Sequence, residues 1–164
     1  MYPRHYSSPV HDLSEEELRS RIRNSALGSL TRREHARAEL ATKLQSRFGP
    51  SPLIDEALDW LASLNYVDDA RFAEVFVRAS VQKGRGPERI RRELQQKGVH
   101  SELIAQAVGE AETDWLAEAR ELHQRKFGAP PEDAKARAKQ MRFLLYRGFT
   151  LDVVNRVMKG GESE

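Results

Sequence analysis

Asp68 and Asp69 are adjacent carboxylates at the head of an apolar segment, a pair that could hold a metal ion or share a proton. Neither use is supported, because the sequence places no histidine or third carboxylate beside them. The pair reads instead as the N-cap and first-turn charge of a helix carrying Phe72, Phe76 and Val77 inward. The five histidines, His5, His11, His35, His100 and His123, are scattered, with no two at the three- or four-residue spacing that joins side chains on a helix. A histidine metal site or general base is therefore not expected. There is no cysteine, which excludes disulfides, Cys-ligated zinc and thiol chemistry. Lys83-Gly84-Arg85-Gly86 sets a lysine beside glycines, but without the order or spacing of a phosphate-binding loop. It reads as a flexible joint before a helix, one that could still approach phosphates closely. With no nucleophile–base pair, metal cluster or cofactor loop, the chain is expected to be neither an enzyme nor the holder of a cofactor.

Two basic clusters offer binding rather than catalysis. Residues 83–97 hold six basic groups, Lys83, Arg85, Arg89, Arg91, Arg92 and Lys97, against Glu88 and Glu93. Arg85, Arg89 and Arg92 share a face if their helix extends back that far, with Ile90 and Leu94 inward. A binding surface and a solvated face with pairs such as Glu93 and Lys97 are both open readings here. Residues 135–147 hold five basic groups and no acidic one. Lys135, Lys139 and Arg142 lie at i, i+4 and i+7, so they share a helical face. Ala134, Ala138, Met141 and Leu145 are expected on the apolar side. This second cluster reads as a binding surface for DNA phosphates or for acidic residues of a protein partner.

These faces need elements to carry them, and an internal repeat supplies those. A shift of 50 positions superimposes Leu44, Leu94 and Leu144; Arg47, Lys97 and Arg147; Leu53, Leu103 and Val153; Ile54, Ile104 and Val154; and Leu58, Val108 and Met158. Five positions of matched chemistry in one register indicate a tandem array. Gly49, Gly98 and Gly148 follow the first series, the first of them one residue late. Glycine after a basic residue suits a helix C-terminus, and Ser51, Ser101 and Thr150 are candidates to cap the helix that follows. A third helix precedes each pair. Ser14 to Glu17 reads as a capping box ahead of Leu18, Ile22 and Ala26. Thr31 to Glu34 reads as another, opening a helix to about Arg47. Gly86-Pro87 opens a helix with proline at its first position. Trp115, Ala119 and Leu122 share a face, and Pro130-Pro131 precedes the helix that ends near Arg147. Trp60 and Trp115, residue types that can anchor partners, sit at helical spacing among apolar neighbours and read as core. The expected fold is all-α: three tandem three-helix repeats over 14–65, 66–113 and 114–159, forming an elongated, curved array. A disordered arm is expected at 1–13 and a tail at 160–164.

Particular segments resemble the RecX family. Tyr66-Val67-Asp68-Asp69-Ala70-Arg71-Phe72-Ala73 is similar to its signature segment, with Val67 in place of a bulkier aliphatic. Residues 86–99, GPERIRRELQQKGV, are similar to its middle repeat, with the core at Arg89–Leu94. Arg37-Ala38-Glu39-Leu40 with Lys43-Leu44 resembles the opening repeat, and residues 143–149, FLLYRGF, the closing one. The resemblance spans roughly residues 25 to 158. It implies a regulator that binds the filament of the RecA recombinase on DNA, restrains its ATPase and strand exchange, and limits the response to DNA damage.

Composition is compatible with that role. Hydrophobic residues make up 39% and charged residues 32%, which suits thin helices around small cores. The net charge of +2 provides no overwhelming attraction for nucleic acid. No apolar run is long enough to span a bilayer, and residues 1–12 lack the apolar stretch of a secretory signal, so a cytoplasmic monomer with no membrane partner is expected. The expected partner is the RecA filament, with single-stranded DNA inside it as a further contact, and Arg85, Arg89, Arg92, Lys135, Lys139 and Arg142 are the candidate contact residues. The alternative is a helical DNA-binding protein that acts without a recombinase. Against it, the helices after Ser51, Ser101 and Thr150 are apolar and poor in arginine, unlike a recognition helix.

Overall fold

The computed structural model describes residues 12–160, which form nine helices and no strand. Most of the expected arm and tail, including His5 and His11, lies outside the described residues. The chain divides into two compact units, one ending at Asp69 and the other starting at Ala70.

The first unit contains α1 (Glu15–Arg32), α2 (Arg37–Phe48) and α3 (Pro52–Ser63). Ser14 Oγ accepts from Glu17 N at 3.1 Å, so α1 starts where its sequence signal places it. The second signal is misplaced. Thr31 does not open a helix: α1 runs through it, and its hydroxyl donates back to Gly28 O at 2.8 Å. The α2 helix opens six residues later at Arg37. There the Glu39 carboxylate accepts from Ala36 N at 3.0 Å, and Asp69 Oδ1 accepts from Arg37 N at 2.8 Å. Two carboxylates at the positive end of one helix take the place of a capping serine or threonine. Ser51 caps α3 through Leu53 N at 3.2 Å, as its sequence suggests. Ile22, Ala26, Leu40, Leu44, Ile54, Leu58 and Leu61 fill the core. Trp60 is only partly buried, with the Arg23 guanidinium 4.4 Å from its ring centre. His35, 2% exposed, lies in the α1–α2 connection. Its Nδ1 is 3.0 Å from Arg33 O, and its Nε2 is buried with no hydrogen-bond partner among the described residues.

The remaining helices are α4 (Asp69–Gln82), α5 (Pro87–Gln96), α6 (Ser101–Glu110), α7 (Trp115–Phe127), α8 (Ala134–Tyr146) and α9 (Leu151–Met158). Helix α5 packs on α6, while α7, α8 and α9 pack on one another. Ser101 is not a cap: it is the first helical residue of α6, and the cap is His100, whose Nδ1 accepts from Glu102 N at 3.3 Å. Thr150 caps α9 through Val153 N at 3.3 Å. Phe72 and Val77 are buried, whereas Phe76 is half-buried against Phe72 and Lys97. Trp115 is likewise only partly buried against the α7–α9 core.

The fifty-residue register is visible in this packing. Leu44, Leu94 and Leu144 are at most 1% exposed, and Ile54, Ile104 and Val154 are buried, as are Leu58, Val108 and Met158. The turns that follow α5 and α8 match atom for atom. Val99 N donates to Leu94 O at 3.1 Å and Gly98 N to Gln95 O at 2.9 Å; Phe149 N donates to Leu144 O at 3.2 Å and Gly148 N to Leu145 O at 3.0 Å. Both are Schellman closures with glycine at positive φ and a buried hydrophobic residue just beyond it. The first copy ends differently, with Gly49 N donating to Gln45 O at 2.8 Å, which accounts for its late glycine.

Candidate partner-binding surface

The two basic clusters sit in different environments. Lys135, Lys139 and Arg142 are all exposed on α8, and among the described residues none of them makes an ion pair. Asp133 Oδ1 caps this helix through Ala136 N at 2.7 Å. Beyond the cap, α8 has no acid in its first turn, where each of the other eight helices has at least one. It has Lys135 and Arg137 near that end instead, cations close to the positive pole of the helix dipole, an arrangement that opposes stability by a few tenths of a kcal/mol or more per charge. A sequence that departs from local preference in this way points to a function for the charges. The inward face differs from the one expected. Gln140 and Leu144 are the buried residues, Met141 and Phe143 pack partly against the core, and Ala134 and Leu145 are exposed. Gln140 can face inward because its Oε1 lies 2.7 Å from His123 Nε2 on α7, forming a buried polar pair.

Arg85, Arg89 and Arg92 do not form one helical face. Arg85 precedes α5, which begins at Pro87. Arg85 and Arg89 instead converge on Glu93, at 3.5 and 2.8 Å, with side chains only 25% and 24% exposed; Arg92 is exposed. The glycine joint ahead of α5 is closely packed and hydrogen-bonded. Arg85 N donates to Ser80 O at 3.1 Å and Gly84 N to Val81 O at 3.0 Å, closing α4. Gly86 N then donates to Arg147 O at 2.8 Å and Glu88 N to Gly148 O at 2.9 Å, so the turn after α8 is stitched to the start of α5 by backbone. A Cβ on Gly86 would collide with the backbone of Gly148 and Phe149, and one on Gly148 with Arg89. The junction also brings in a residue that sequence reasoning missed. Tyr146, 76% exposed, ends α8 and has the Arg89 guanidinium 5.9 Å from its ring centre. Its signal was its spacing, four residues after Arg142 and on the same face.

Among the described residues no group of three His, Cys, Asp or Glu is placed to hold a metal, and no helix is long and apolar enough to cross a membrane. Three family models, described as the first, second and third three-helix domains of RecX, match residues 23–61, 68–108 and 112–158. The chain belongs to the RecX family. It is 45% identical over 140 residues to the regulatory protein RecX of Pseudomonas entomophila, covering 85% of this chain and 90% of that one. It is 43% identical over 144 residues to the regulatory protein RecX of Halorhodospira halophila, covering 87% and 89%. Its fold matches the crystal structure of RecX from Lactobacillus salivarius with a TM-score of 0.73 at 24% identity, over 86% of this chain and 94% of that one. A second crystal structure, of a regulatory protein RecX, matches with a TM-score of 0.75 at 21% identity, over 90% and 80%. RecX membership accounts for the tandem all-helical repeats and for relatives that are named as regulators and not as enzymes.

Proposed function

We propose that this RecX chain is a cytoplasmic, non-catalytic, monomeric regulator that binds the RecA filament on DNA and restrains its ATPase and strand exchange. The observation that carries the reading is the match of all three repeats to RecX domains, together with curated relatives named as regulatory proteins. The exposed α8 cations supply the contact. They carry net positive charge in solvent, so they attract an anionic partner. Arg85 and Arg89 share the single carboxylate of Glu93, which offsets one of their two charges, so they act at the edge of the surface, and Arg92 adds one solvent-facing charge.

Co-sedimentation with RecA filaments on single-stranded DNA tests the reading, with ATP hydrolysis followed in parallel. Wild-type protein is expected to pellet with the filament and slow hydrolysis. A variant carrying Lys135→Glu, Lys139→Glu and Arg142→Glu is expected to melt no lower than wild type, since Lys135→Glu favours the start of α8, and to lose most of both effects. Wild-type binding is expected to weaken as salt rises, because exposed charges are screened beyond roughly 8–10 Å at ordinary ionic strength. Wild-type protein that stays in the supernatant, or that leaves hydrolysis untouched, defeats the proposal.

A further inference from the structure

The exposed face of α8 does not end with its cations. Lys135, Lys139, Arg142 and Tyr146 follow at intervals of four, three and four residues, one straight stripe along the helix. At 1.5 Å per residue the stripe is about 16 Å long. All four side chains are exposed. Tyr146 is held in place from beneath: the backbone of Arg89 is pressed on Gly148 two residues further on, and the Arg89 guanidinium is fixed by Glu93 at 2.8 Å and lies over the tyrosine ring. With its side chain 76% exposed, most of the Tyr146 ring is open to solvent.

We propose that this stripe is a track for a single nucleic-acid strand, with phosphates on Lys135, Lys139 and Arg142 and one base stacked on Tyr146 opposite Arg89. A flat aromatic face at the end of a cationic row is what a strand with unstacked bases can use. Bases in a duplex are already stacked on one another, and an acidic peptide needs the charges but gains nothing particular from the ring. Phosphates would also relieve the opposition between Lys135 and the dipole of α8. Because Arg89 is paired with Glu93, its part is to orient the ring and not to take a phosphate. The proposal rests on the reading of α8 as the binding face, but it concerns bare strand and can be tested without RecA.

The test is fluorescence anisotropy of labelled oligothymidylate and of an abasic phosphodiester strand of equal length, titrated with the full chain. Wild type is expected to prefer the thymidylate. Tyr146→Ala is expected to weaken thymidylate binding about 5- to 150-fold, the worth of one base on one aromatic ring, and to leave the abasic strand unchanged. Tyr146→Phe should retain the preference. The Lys135, Lys139 and Arg142 triple glutamate variant should lose both strands. Equal loss on both strands in Tyr146→Ala, or no change on either, overturns the stacking role. Failure of wild type to bind either strand overturns the track; if RecA hydrolysis is still restrained in that case, the regulatory reading survives and the stripe faces acidic protein groups. Strand binding with no effect on RecA would sustain the track and defeat the regulatory reading.

Discussion

Replacing Gly86 by alanine isolates the backbone junction that fixes the α5 end against the turn after α8. Gly86 has φ −87°, a value open to any residue, so the substitution brings no dihedral penalty. What it brings is a methyl group directed at the Gly148 carbonyl carbon and the Phe149 nitrogen, atoms of backbone that no rotamer change can move. Relief requires the two segments to separate, which costs the bonds from Gly86 N to Arg147 O at 2.8 Å and from Glu88 N to Gly148 O at 2.9 Å. At roughly 0.5–1.5 kcal/mol net for each hydrogen bond, and with Phe149 loosened from its buried site, the loss is about 2–4 kcal/mol. Gly128→Ala is the contrasting control. That residue has φ +73°, but a Cβ there meets nothing closer than 4.0 Å, so only the left-handed penalty of about 1–2 kcal/mol applies. Urea unfolding followed by circular dichroism compares the two. If Gly86→Ala unfolds with wild type while Gly128→Ala is clearly weakened, the junction bears no stability and the proposed clash is refuted.

The repeat register predicts that Leu44→Ala, Leu94→Ala and Leu144→Ala each cost roughly 2–5 kcal/mol in the same denaturation assay, since all three are fully buried at equivalent positions. One of them proving harmless would break the fifty-residue equivalence. Burial, followed by the charges of Arg33 and Lys43, lowers the pKa of His35, while its hydrogen bond to Arg33 O and the charge of Glu39 act in the opposite sense. The unfolded chain therefore takes up a proton there before the folded one does. The stability this contributes is complete above the ordinary histidine value of about 6.5 and declines as pH falls below it, by at most about 1.4 kcal/mol per pH unit. His35→Gln should flatten that slope in melting measured from pH 7.5 to 5; an unchanged slope would show that His35 is not its source. Arg85→Glu, Arg89→Glu and Arg92→Glu together place like charge beside Glu93, so this triple change should lower the melting temperature where the α8 triple change does not. Equal melting of the two variants would show that the Glu93 pairings are dispensable.

The register of the repeats was legible because it rests on side-chain types at fixed offsets and on glycine at two matching turns. The start of α2 was not. Thr31-Arg32-Arg33-Glu34 satisfies the local rule for a helix start, but the carboxylate of Asp69 reaches Arg37 from 32 residues away, and no local rule contains it. The inward face of α8 failed for a related reason. A helix with alanine on several sides has a weak apolar stripe, and the buried position of Gln140 depends on His123, seventeen residues earlier. Of the candidate contact residues, the α8 trio lies together as its spacing implies. Arg85 and Arg92 do not share a helix face, because proline at the first position of α5 fixes where that helix begins. Tyr146 had the right spacing, but no local pattern shows that Arg89, from a different helix, would lie over its ring.

Asp69 has a consequence for any attempt to study the first repeat alone. It is the first residue of α4, yet its carboxylate serves the start of α2. A fragment cut where the sequence suggests a boundary, after residue 65, would leave the amide of Arg37 without its acceptor and would also discard Val67, part of the same apolar core. The smallest portion that could stand by itself must borrow the opening of its neighbour. Expression trials that step the C-terminus from 65 to 75 should therefore show a threshold of solubility just past Asp69.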